Sequence, residues 1–285
     1  MLSLRQAVQR HLPTQAVVLL RKILSLMNYL RVQASVTAVL GPQYRRSRTR
    51  LEIDLTWSCN LRCFNCNRSC EQAPTGERME PKQIRHFIDQ SIATGQQWKQ
   101  IRLLGGEPTL HPEFSEIVHM LLAWREKHSP NTRLEVVTNG YGCKVEGALA
   151  RLPPGIEVHN TSKVSQTQPF RSFNVAPVDC AEYDQADYTN GCRVIKVSGI
   201  GLTPYGWYPC AIAGGIDRIV GFDLGRKHLP DPEDDMLDQL KIFCRLCGNF
   251  KRRYEPPVYR PVKSQTWEWI YNRHREEPPK LTKRD

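Results

Sequence analysis

A run of closely spaced cysteines at residues 57–70 constrains this 285-residue chain more than any other feature. The run reads WSCNLRCFNCNRSC, in which Cys59, Cys63 and Cys66 have the spacing CxxxCxxC. It directly follows residues 51–56, whose apolar and β-branched side chains predict a strand. Three thiols on one loop can converge on an iron–sulfur cluster or on a zinc ion. Zinc fingers usually show CxxC pairs, so the spacing favours a cluster.

A second motif, LLGGEPTL at residues 103–110, follows another predicted strand at residues 100–104. Gly105 and Gly106 would let the backbone approach a ligand closely. Glu107 can accept a hydrogen bond from an ammonium group. Taken alone, GGEP is an ordinary turn, so its meaning depends on the cysteine run that precedes it.

Together, the two motifs resemble those of the radical S-adenosylmethionine (SAM) superfamily, in which a CxxxCxxC loop follows the first strand of a partial β/α barrel. The resemblance implies that Cys59, Cys63 and Cys66 bind three irons of a [4Fe–4S] cluster and leave the fourth iron for SAM. It also implies that residues 105–107 lie at the amino group of SAM. In the alternative interpretation, Cys70 completes a closed, ferredoxin-like site of four cysteines.

From residue 51 the chain alternates predicted strands and helices, which indicates parallel strands with right-handed crossovers. The predicted fold is α/β, a partial (β/α) TIM-like barrel of the radical SAM type, with ligands at the carboxyl ends of the strands. No clear GxIxGxxE motif follows, so we expect fewer than six β/α units. The strands are predicted at 51–56, 100–104, 133–138 and 155–160, with a candidate fifth at 173–178, and the helices at 81–94, 113–127 and 144–151.

Two further loops follow predicted strands and are candidates for the SAM pocket. Asn139 lies in a TNG sequence after the third strand, as in many members of the superfamily, although an Asn–Gly pair is usually just a turn. Ser162 and Lys163 follow the fourth strand, where relatives often place a serine or a basic residue near the carboxylate of SAM. A solvated loop explains these two residues equally well.

A second group of cysteines lies in the last third of the chain and could form a closed tetrathiolate site. Residues 193–197 and 206–208 are predicted to be the two strands of a hairpin that brings its first two members together. Zinc or a second cluster would both suit four thiolates. The group consists of Cys192, Cys210, Cys244 and Cys247.

This layout resembles the twitch extension, the shortened form of the SPASM extension that follows many radical SAM cores. The resemblance implies a small C-terminal hairpin-plus-helix extension whose four cysteines hold an auxiliary [4Fe–4S] cluster. The family pattern usually leaves four residues between a glycine and its second cysteine, whereas Gly206 leaves three before Cys210.

Composition indicates a soluble globular protein, with 40% hydrophobic residues and a mean hydropathy of −0.50. We find neither a signal peptide nor an apolar run of the roughly 18 residues needed to span a membrane. We therefore expect a cytoplasmic location, where ten cysteines suggest metal ligands rather than disulfides.

The formal charge of +11 is unevenly distributed, because no Asp or Glu precedes Glu52. Residues 16–32 have the apolar spacing of a helix, which we expect to pack on the barrel. A peripheral position on an anionic membrane surface is the alternative. No RNA-binding signature with interleaved aromatic residues is present, so nucleic acid is not favoured. The basic residues are Arg5, Arg10, Arg21, Lys22, Arg31, Arg45, Arg46, Arg48 and Arg50.

These patterns divide the chain into a basic helical segment (1–50), a radical SAM core (51–185), an auxiliary cluster domain (186–255) and a basic tail (256–285) whose end we expect to be mobile. The resemblance implies an enzyme that takes an electron from a partner such as flavodoxin or ferredoxin and cleaves SAM. A small anionic substrate is favoured over a peptide. The alternatives outside this class are a non-catalytic iron–sulfur electron carrier and a zinc-binding interaction protein.

Overall fold

A six-stranded sheet forms the centre of the fold, with the order β4-β3-β2-β1-β5-β6. The computed structural model describes residues 14–165, 173–250 and 260–284. The first five strands are parallel to their neighbours, and β6 runs antiparallel to β5. The strands are β1 (Arg50–Thr56), β2 (Gln100–Gly105), β3 (Arg133–Thr138), β4 (Glu157–Asn160), β5 (Ile200–Thr203) and β6 (Gly206–Tyr208).

Helices connect the first four strands, so the predicted strand–helix alternation and partial-barrel class are confirmed. Helix α3 begins at Pro81, and Glu80 and Gln83 form a capping box at its start. The described helices are α1 (Thr14–Arg31), α2 (Ala34–Leu40), α3 (Pro81–Ala93), α4 (Phe114–His128), α5 (Cys143–Ala150), α6 (Arg193–Val197), α7 (Ala211–Val220), α8 (Leu237–Phe243) and α9 (Gln265–Glu276).

Strand β1 is buried on both faces, and the two faces differ in chemistry. Its apolar side chains at 51, 53 and 55 are fully buried and belong to the same core as Phe87 of α3 and Leu121 of α4. Its polar side chains point to the other face, where Arg102 bridges two carboxylates, Glu52 at 2.7 Å and Glu135 at 3.5 Å. The inner face of the sheet therefore carries a row of buried charges across three strands.

The predicted hairpin exists, but its first strand is not at residues 193–197, which form helix α6. Their β-branched side chains suggested a strand, yet α6 buries Ile195 on one side. The strand begins only after Gly199, where an added Cβ would lie 2.1 Å from the carbonyl oxygen of Arg50. This close approach brings β5 alongside β1, so the hairpin extends the core sheet.

The candidate fifth strand at 173–178 is wrong. Residues 173–174 form a turn, and a 3₁₀ turn begins at Pro177, whose ring nitrogen carries no hydrogen for a sheet ladder. The neighbouring residues 166–172 lie outside the described part of the chain.

Helix α1 occupies the predicted position, but the expected packing of its apolar face on the barrel is not observed, because most of its large side chains are exposed. Arg5 and Arg10 lie outside the described residues, as does the side chain of Arg21. Among the described helices, none is long and apolar enough to cross a membrane.

The C-terminal segment packs against the rest of the fold. Trp267 and Tyr271 of α9 are buried, as expected for aromatic residues that cover a core. Beyond α9, Lys283 pairs with Glu77 at 2.6 Å, and Arg284 lies buried over the ring of Trp207. The expectation of a mobile end is therefore wrong for residues up to 284, while the predicted tail boundary at 256 lies outside the described residues.

Candidate active site and second cysteine group

The two motifs that carry the resemblance meet through their backbones at the carboxyl ends of β1 and β2. The backbone N–H of Gly106 donates to the carbonyl of Thr56 at 2.7 Å, and the backbone N–H of Glu107 donates to the carbonyl of Ser58 at 2.9 Å. A Cβ on Gly105 would lie 2.2 Å from the Thr56 oxygen, and one on Gly106 would lie 2.4 Å from the Ser58 oxygen. Glycine is therefore required at both positions for the loops to touch.

The loop after β1 brings the three motif cysteines into one electrostatic group. Burial, with a smaller contribution from nearby Cys66 and Cys63, raises the pKa of the Cys59 thiol to about 12. The backbone N–H of Leu61 donates to the Cys59 sulfur at 3.4 Å. The donor set fits a cluster, because three thiols share one partly enclosed loop and thiolate is the ligand such clusters require.

Cys70 lies next to this group rather than apart from it. Its thiol hydrogen-bonds to Cys66, which lowers the pKa of Cys66 and raises that of Cys70. Cys70 packs with Trp57 and Tyr205, whose rings are stacked with centroids 5.7 Å apart. A closed site of four cysteines is therefore compatible with the position of Cys70.

Asn139 connects the third strand to the cysteine loop, as the TNG sequence suggested. Its side-chain amide donates to Asn60 at 2.8 Å and lies 3.9 Å from the sulfur of Cys59. The side-chain oxygen of Asn139 accepts a hydrogen bond from the backbone N–H of Tyr141 at 2.8 Å. This candidate residue therefore lies directly beside the first motif.

Glu107 is fully buried and its carboxylate is already occupied within the protein. Its Oε1 accepts from the hydroxyls of Thr109 and Thr138 at 2.7 and 2.9 Å, and its Oε2 accepts from the backbone of Asn139 at 2.8 Å. A fourth, longer bond comes from the backbone of Thr109 at 3.3 Å. The side chain thus ties the ends of β2 and β3 together.

Ser162 and Lys163 lie on an adjacent loop at the end of β4. The backbone of Lys163 donates to the carbonyl of Asn139 at 2.9 Å, which attaches this loop to the third strand's motif. Ser162 is exposed and has a φ of 48°, and its backbone is held by the side chain of Asn160 at 2.7 Å. The structure therefore places this loop next to Asn139.

A buried ion-pair network beneath the cysteine loop was not identified from the sequence. Arg68 lies 3.3 Å from both Asp54 and Glu52, and all three side chains are buried. Burial raises the pKa of Asp54 to about 6, although Arg68 opposes the shift. The sequence did contain a signal for this network, because Glu52 and Asp54 are acidic residues within an otherwise apolar strand.

Helices α7 and α9 hold the same loop from the opposite side, and no sequence pattern pointed to this contact. Arg218 donates to the carbonyls of Ala73 and Arg68 at 2.7 and 2.9 Å, and its guanidinium lies 4.9 Å from the ring centroid of Trp57. A hydrogen bond of 2.7 Å joins the hydroxyls of Ser69 and Tyr271. The C-terminal third of the chain therefore fixes the conformation of the cysteine loop.

The second cysteine group converges on one largely apolar cavity. Cys192 directly precedes α6 and Cys210 directly precedes α7, so these two flank the hairpin. Cys244 and Cys247 follow the end of α8. Together with Ile195, Ile212 and Phe243, the four cysteines line the same cavity.

The thiols of this group lie close enough to influence one another's pKa. Burial, followed by the neighbouring thiols, raises the pKa of Cys210, Cys244 and Cys247 above the ordinary range. Such a group holds thiolates only beside a compensating positive centre. Within the described residues, no three His, Cys, Asp or Glu side chains already have the geometry of a bound metal ion, so the thiols of each group would have to draw together around a cluster.

One side chain lies within electrostatic reach of both cysteine groups. Burial lowers the pKa of the Arg68 guanidinium, but Asp54 and Glu52 raise it more, and the Cys210 and Cys66 thiols add smaller contributions in the same direction. The contact is possible because α7 packs on the loop, where an added Cβ on Gly215 would lie 3.8 Å from the Cα of Arg68.

Comparison with known proteins gives a family match that contains both motifs. Residues 54–155 match the model described as the Radical SAM superfamily. The chain is 39% identical over 84 residues to a probable GTP 3′,8-cyclase of Pyrococcus abyssi, and the match covers 29% of this chain and 26% of that protein. It is 33% identical over 93 residues to the GTP 3′,8-cyclase of Synechococcus elongatus, and this match covers 30% of the chain and 26% of that protein.

The matched segment thus spans about a quarter of the length of these curated relatives. Among solved structures, BtrN in complex with AdoMet and 2-DOIA aligns with 75% of this chain and 100% of that one, with a TM-score of 0.44 and 17% identity. The family match covers the end of β1, the cysteine loop and the GGEP segment described above, so residues 54–155 of this chain are similar to the radical SAM superfamily.

Proposed function

We propose that this chain is a radical SAM enzyme that uses the cysteine loop after β1 as its catalytic centre. In members of the superfamily, a [4Fe–4S] cluster delivers an electron to bound SAM, which is cleaved to methionine and a 5′-deoxyadenosyl radical that abstracts hydrogen from the substrate. The observation that carries the proposal is the backbone contact between the CxxxCxxC and GGEP loops at the ends of two adjacent parallel strands.

The residues of this chain would bind and orient these groups. Cys59, Cys63 and Cys66 would hold the cluster as thiolates. Because the carboxylate of Glu107 is occupied by Thr109, Thr138 and Asn139, contact between residues 105–107 and the SAM amino group would come from the backbone.

The neighbouring loops would complete the SAM site. Asn139 already lies beside Cys59, and the Ser162–Lys163 loop is attached to it, so Ser162 and Lys163 would lie near the carboxylate of SAM. The stacked rings of Trp57 and Tyr205 cover one side of the cysteine loop and would exclude water from it.

We propose that the second cysteine group holds an auxiliary [4Fe–4S] cluster, and that residues 186–255 act as an auxiliary cluster unit joined to the core through β5. The four thiols line one buried cavity, which supports a shared ligand. Zinc is the alternative, and metal analysis separates the two: after anaerobic reconstitution, about eight irons per chain support two clusters, whereas about four irons with one zinc contradict the auxiliary cluster.

A radical SAM enzyme needs a reductant and a substrate. We propose a flavodoxin or ferredoxin as the reductant, a cytoplasmic location, and a small anionic substrate. The named relatives act on GTP, which is itself an anion, and the chain carries a formal charge of +11. A peptide substrate would instead raise turnover only when a partner protein supplies it.

The test is to reduce the reconstituted protein in the presence of SAM and measure 5′-deoxyadenosine. Formation of this product supports the proposal. The adjacency of Cys70 and Cys66 favours one competing function, a closed cluster that only carries electrons. In that case no 5′-deoxyadenosine forms, and SAM leaves the paramagnetic resonance spectrum of the reduced cluster unchanged.

A further inference from the structure

Helix α1 turns its polar side toward the protein and its apolar side toward solvent. Ser25, Asn28 and Tyr29 face a small cavity that is also lined by Tyr183. The rings of Tyr29 and Tyr183 meet edge to face with centroids 6.3 Å apart. A helix that covers a protein core buries its apolar side instead, so core packing does not explain the sequence of α1.

The outward side of α1 forms an extended apolar surface. Eight large apolar side chains of this helix are exposed, with Leu19 59% and Met27 61% accessible. Helix α2 continues the surface with Val39 at 82% and Leu40 at 62%. Contiguous apolar surfaces of this kind mark interaction sites. The exposed residues of α1 are Val18, Leu19, Leu20, Ile23, Leu24, Leu26, Met27 and Leu30.

The charged side chains of the segment that carries this apolar surface are all basic. The sequence contains no Asp or Glu before Glu52, so no acidic side chain of the segment opposes an anionic partner. Lys22 is exposed within α1, and the side chain of Arg45, beyond α2, is 76% exposed, although its Nε lies 4.0 Å from a carboxylate oxygen of Asp235. An apolar face flanked by cations matches a bilayer whose acyl region accepts the apolar side chains and whose headgroups are anionic.

We propose that α1 and α2 dock this chain onto an anionic phospholipid membrane, with α1 lying in the plane of the interface. Arg21, Lys22 and Arg31 interrupt α1, and no described helix qualifies as a membrane span, which fits a helix that rests on the bilayer. The charge is the reason for choosing lipid over a protein partner, because an apolar groove on a protein would not require a segment free of acids. The proposal does not depend on the chemistry of either cysteine group.

Flotation of the full-length, reconstituted protein with vesicles tests the proposal. One set of vesicles contains only phosphatidylcholine, and a second contains equal parts of phosphatidylcholine and phosphatidylglycerol. We expect the protein to float with the anionic vesicles at low salt and to remain largely at the bottom of the gradient with the zwitterionic ones. Raising the salt should reduce flotation, since headgroup attraction is screened.

Two triple variants test whether vesicle binding depends on the α1 surface or on exposed apolar residues anywhere on the protein. Leu19→Glu, Ile23→Glu and Met27→Glu together should reduce the vesicle-bound fraction at least about tenfold. The matched control places three glutamates at exposed apolar positions elsewhere and should float like the wild type. The control substitutions are Ile92→Glu, Leu237→Glu and Trp269→Glu, at positions that are 43%, 40% and 57% exposed.

Three results would overturn the proposal. The first is wild-type protein that stays at the bottom of the gradient with anionic vesicles. The second is equal flotation of the α1 variant and its control. The third is self-association of the wild type without lipid that the α1 variant abolishes, because the surface would then be an interface between two copies of the chain. Spectra of the cluster in each variant verify folding without relying on activity.

Discussion

The carboxylate of Glu107 accepts the backbone N–H of Asn139 at 2.8 Å, which joins the second motif to the loop after the third strand. This contact makes the GGEP glutamate part of the framework of the site. The same carboxylate binds the hydroxyl of Thr138 at the end of β3.

Glu107→Gln should therefore destabilise the fold near the site. The amide group would face donors such as the Asn139 N–H, so a buried donor would lose its acceptor. We expect the free energy of unfolding to fall by about 2 kcal/mol. Denaturant unfolding measures the change, and Glu126→Gln, at an exposed position on α4, is the control. Equal stability of the two variants would contradict the assigned role.

Cys63→Ala should abolish formation of 5′-deoxyadenosine, because only two of the three motif thiolates would remain to hold the cluster. Cys143→Ala removes an exposed cysteine at the start of α5 and should retain activity. The measurement is product formation from SAM under reducing conditions, alongside iron content. Full activity of the Cys63 variant would refute the assignment of the cysteine loop.

Cys70→Ala distinguishes an open cluster from a closed one. If SAM occupies the fourth iron, this variant should keep both its iron and its SAM-dependent change in the paramagnetic resonance spectrum. Loss of the Cys66–Cys70 hydrogen bond should also raise the pKa of Cys66 in the protein without a cluster, where the rate of thiol alkylation against pH reports it. A variant that loses about half of its iron would identify Cys70 as a ligand.

Cys244→Ala should remove the auxiliary cluster without affecting the first. We expect iron to fall from about eight to about four per chain, with the SAM-dependent spectral change preserved. A variant that keeps all its iron would contradict the assignment of the second group, and Cys143→Ala again supplies the baseline.

Asp54 should make the stability of the fold decrease between about pH 4 and pH 6. Its pKa in the folded chain is about 6 against an ordinary value of 3.8, because burial disfavours the carboxylate. The folded state therefore holds a proton that the unfolded chain releases in this window, and stability present at the acidic end is lost as the pH rises. The contribution is on the order of 2–3 kcal/mol.

Denaturant unfolding at several pH values tests this dependence by comparing the wild type with Asp54→Asn, which cannot titrate at this position. The difference in unfolding free energy between the two should shift in favour of the variant as the pH rises from 4 to 7. Asp89→Asn, at an exposed position on α3, should show no such trend. A constant difference between the wild type and Asp54→Asn would contradict the raised pKa.

The sequence was sufficient to predict the strands and helices between residues 50 and 160, because runs of apolar and β-branched residues there alternate with longer stretches of helical spacing. It failed at residues 193–197, where β-branched side chains indicated a strand but burial of Ile195 stabilised a short helix. The motif cysteines were identifiable from their spacing. Arg218 was not, because its contacts with the cysteine loop depend on the packing of α7, which no local pattern records.

Arg68 gives the two cysteine groups a common neighbour, because the Cys210 and Cys66 thiols both raise the pKa of its guanidinium, after the larger effects of Asp54 and Glu52. A negative charge added to either group changes the field that this cation exerts on the other. If both groups hold clusters as proposed, midpoints measured for one centre should therefore differ according to whether the second is filled.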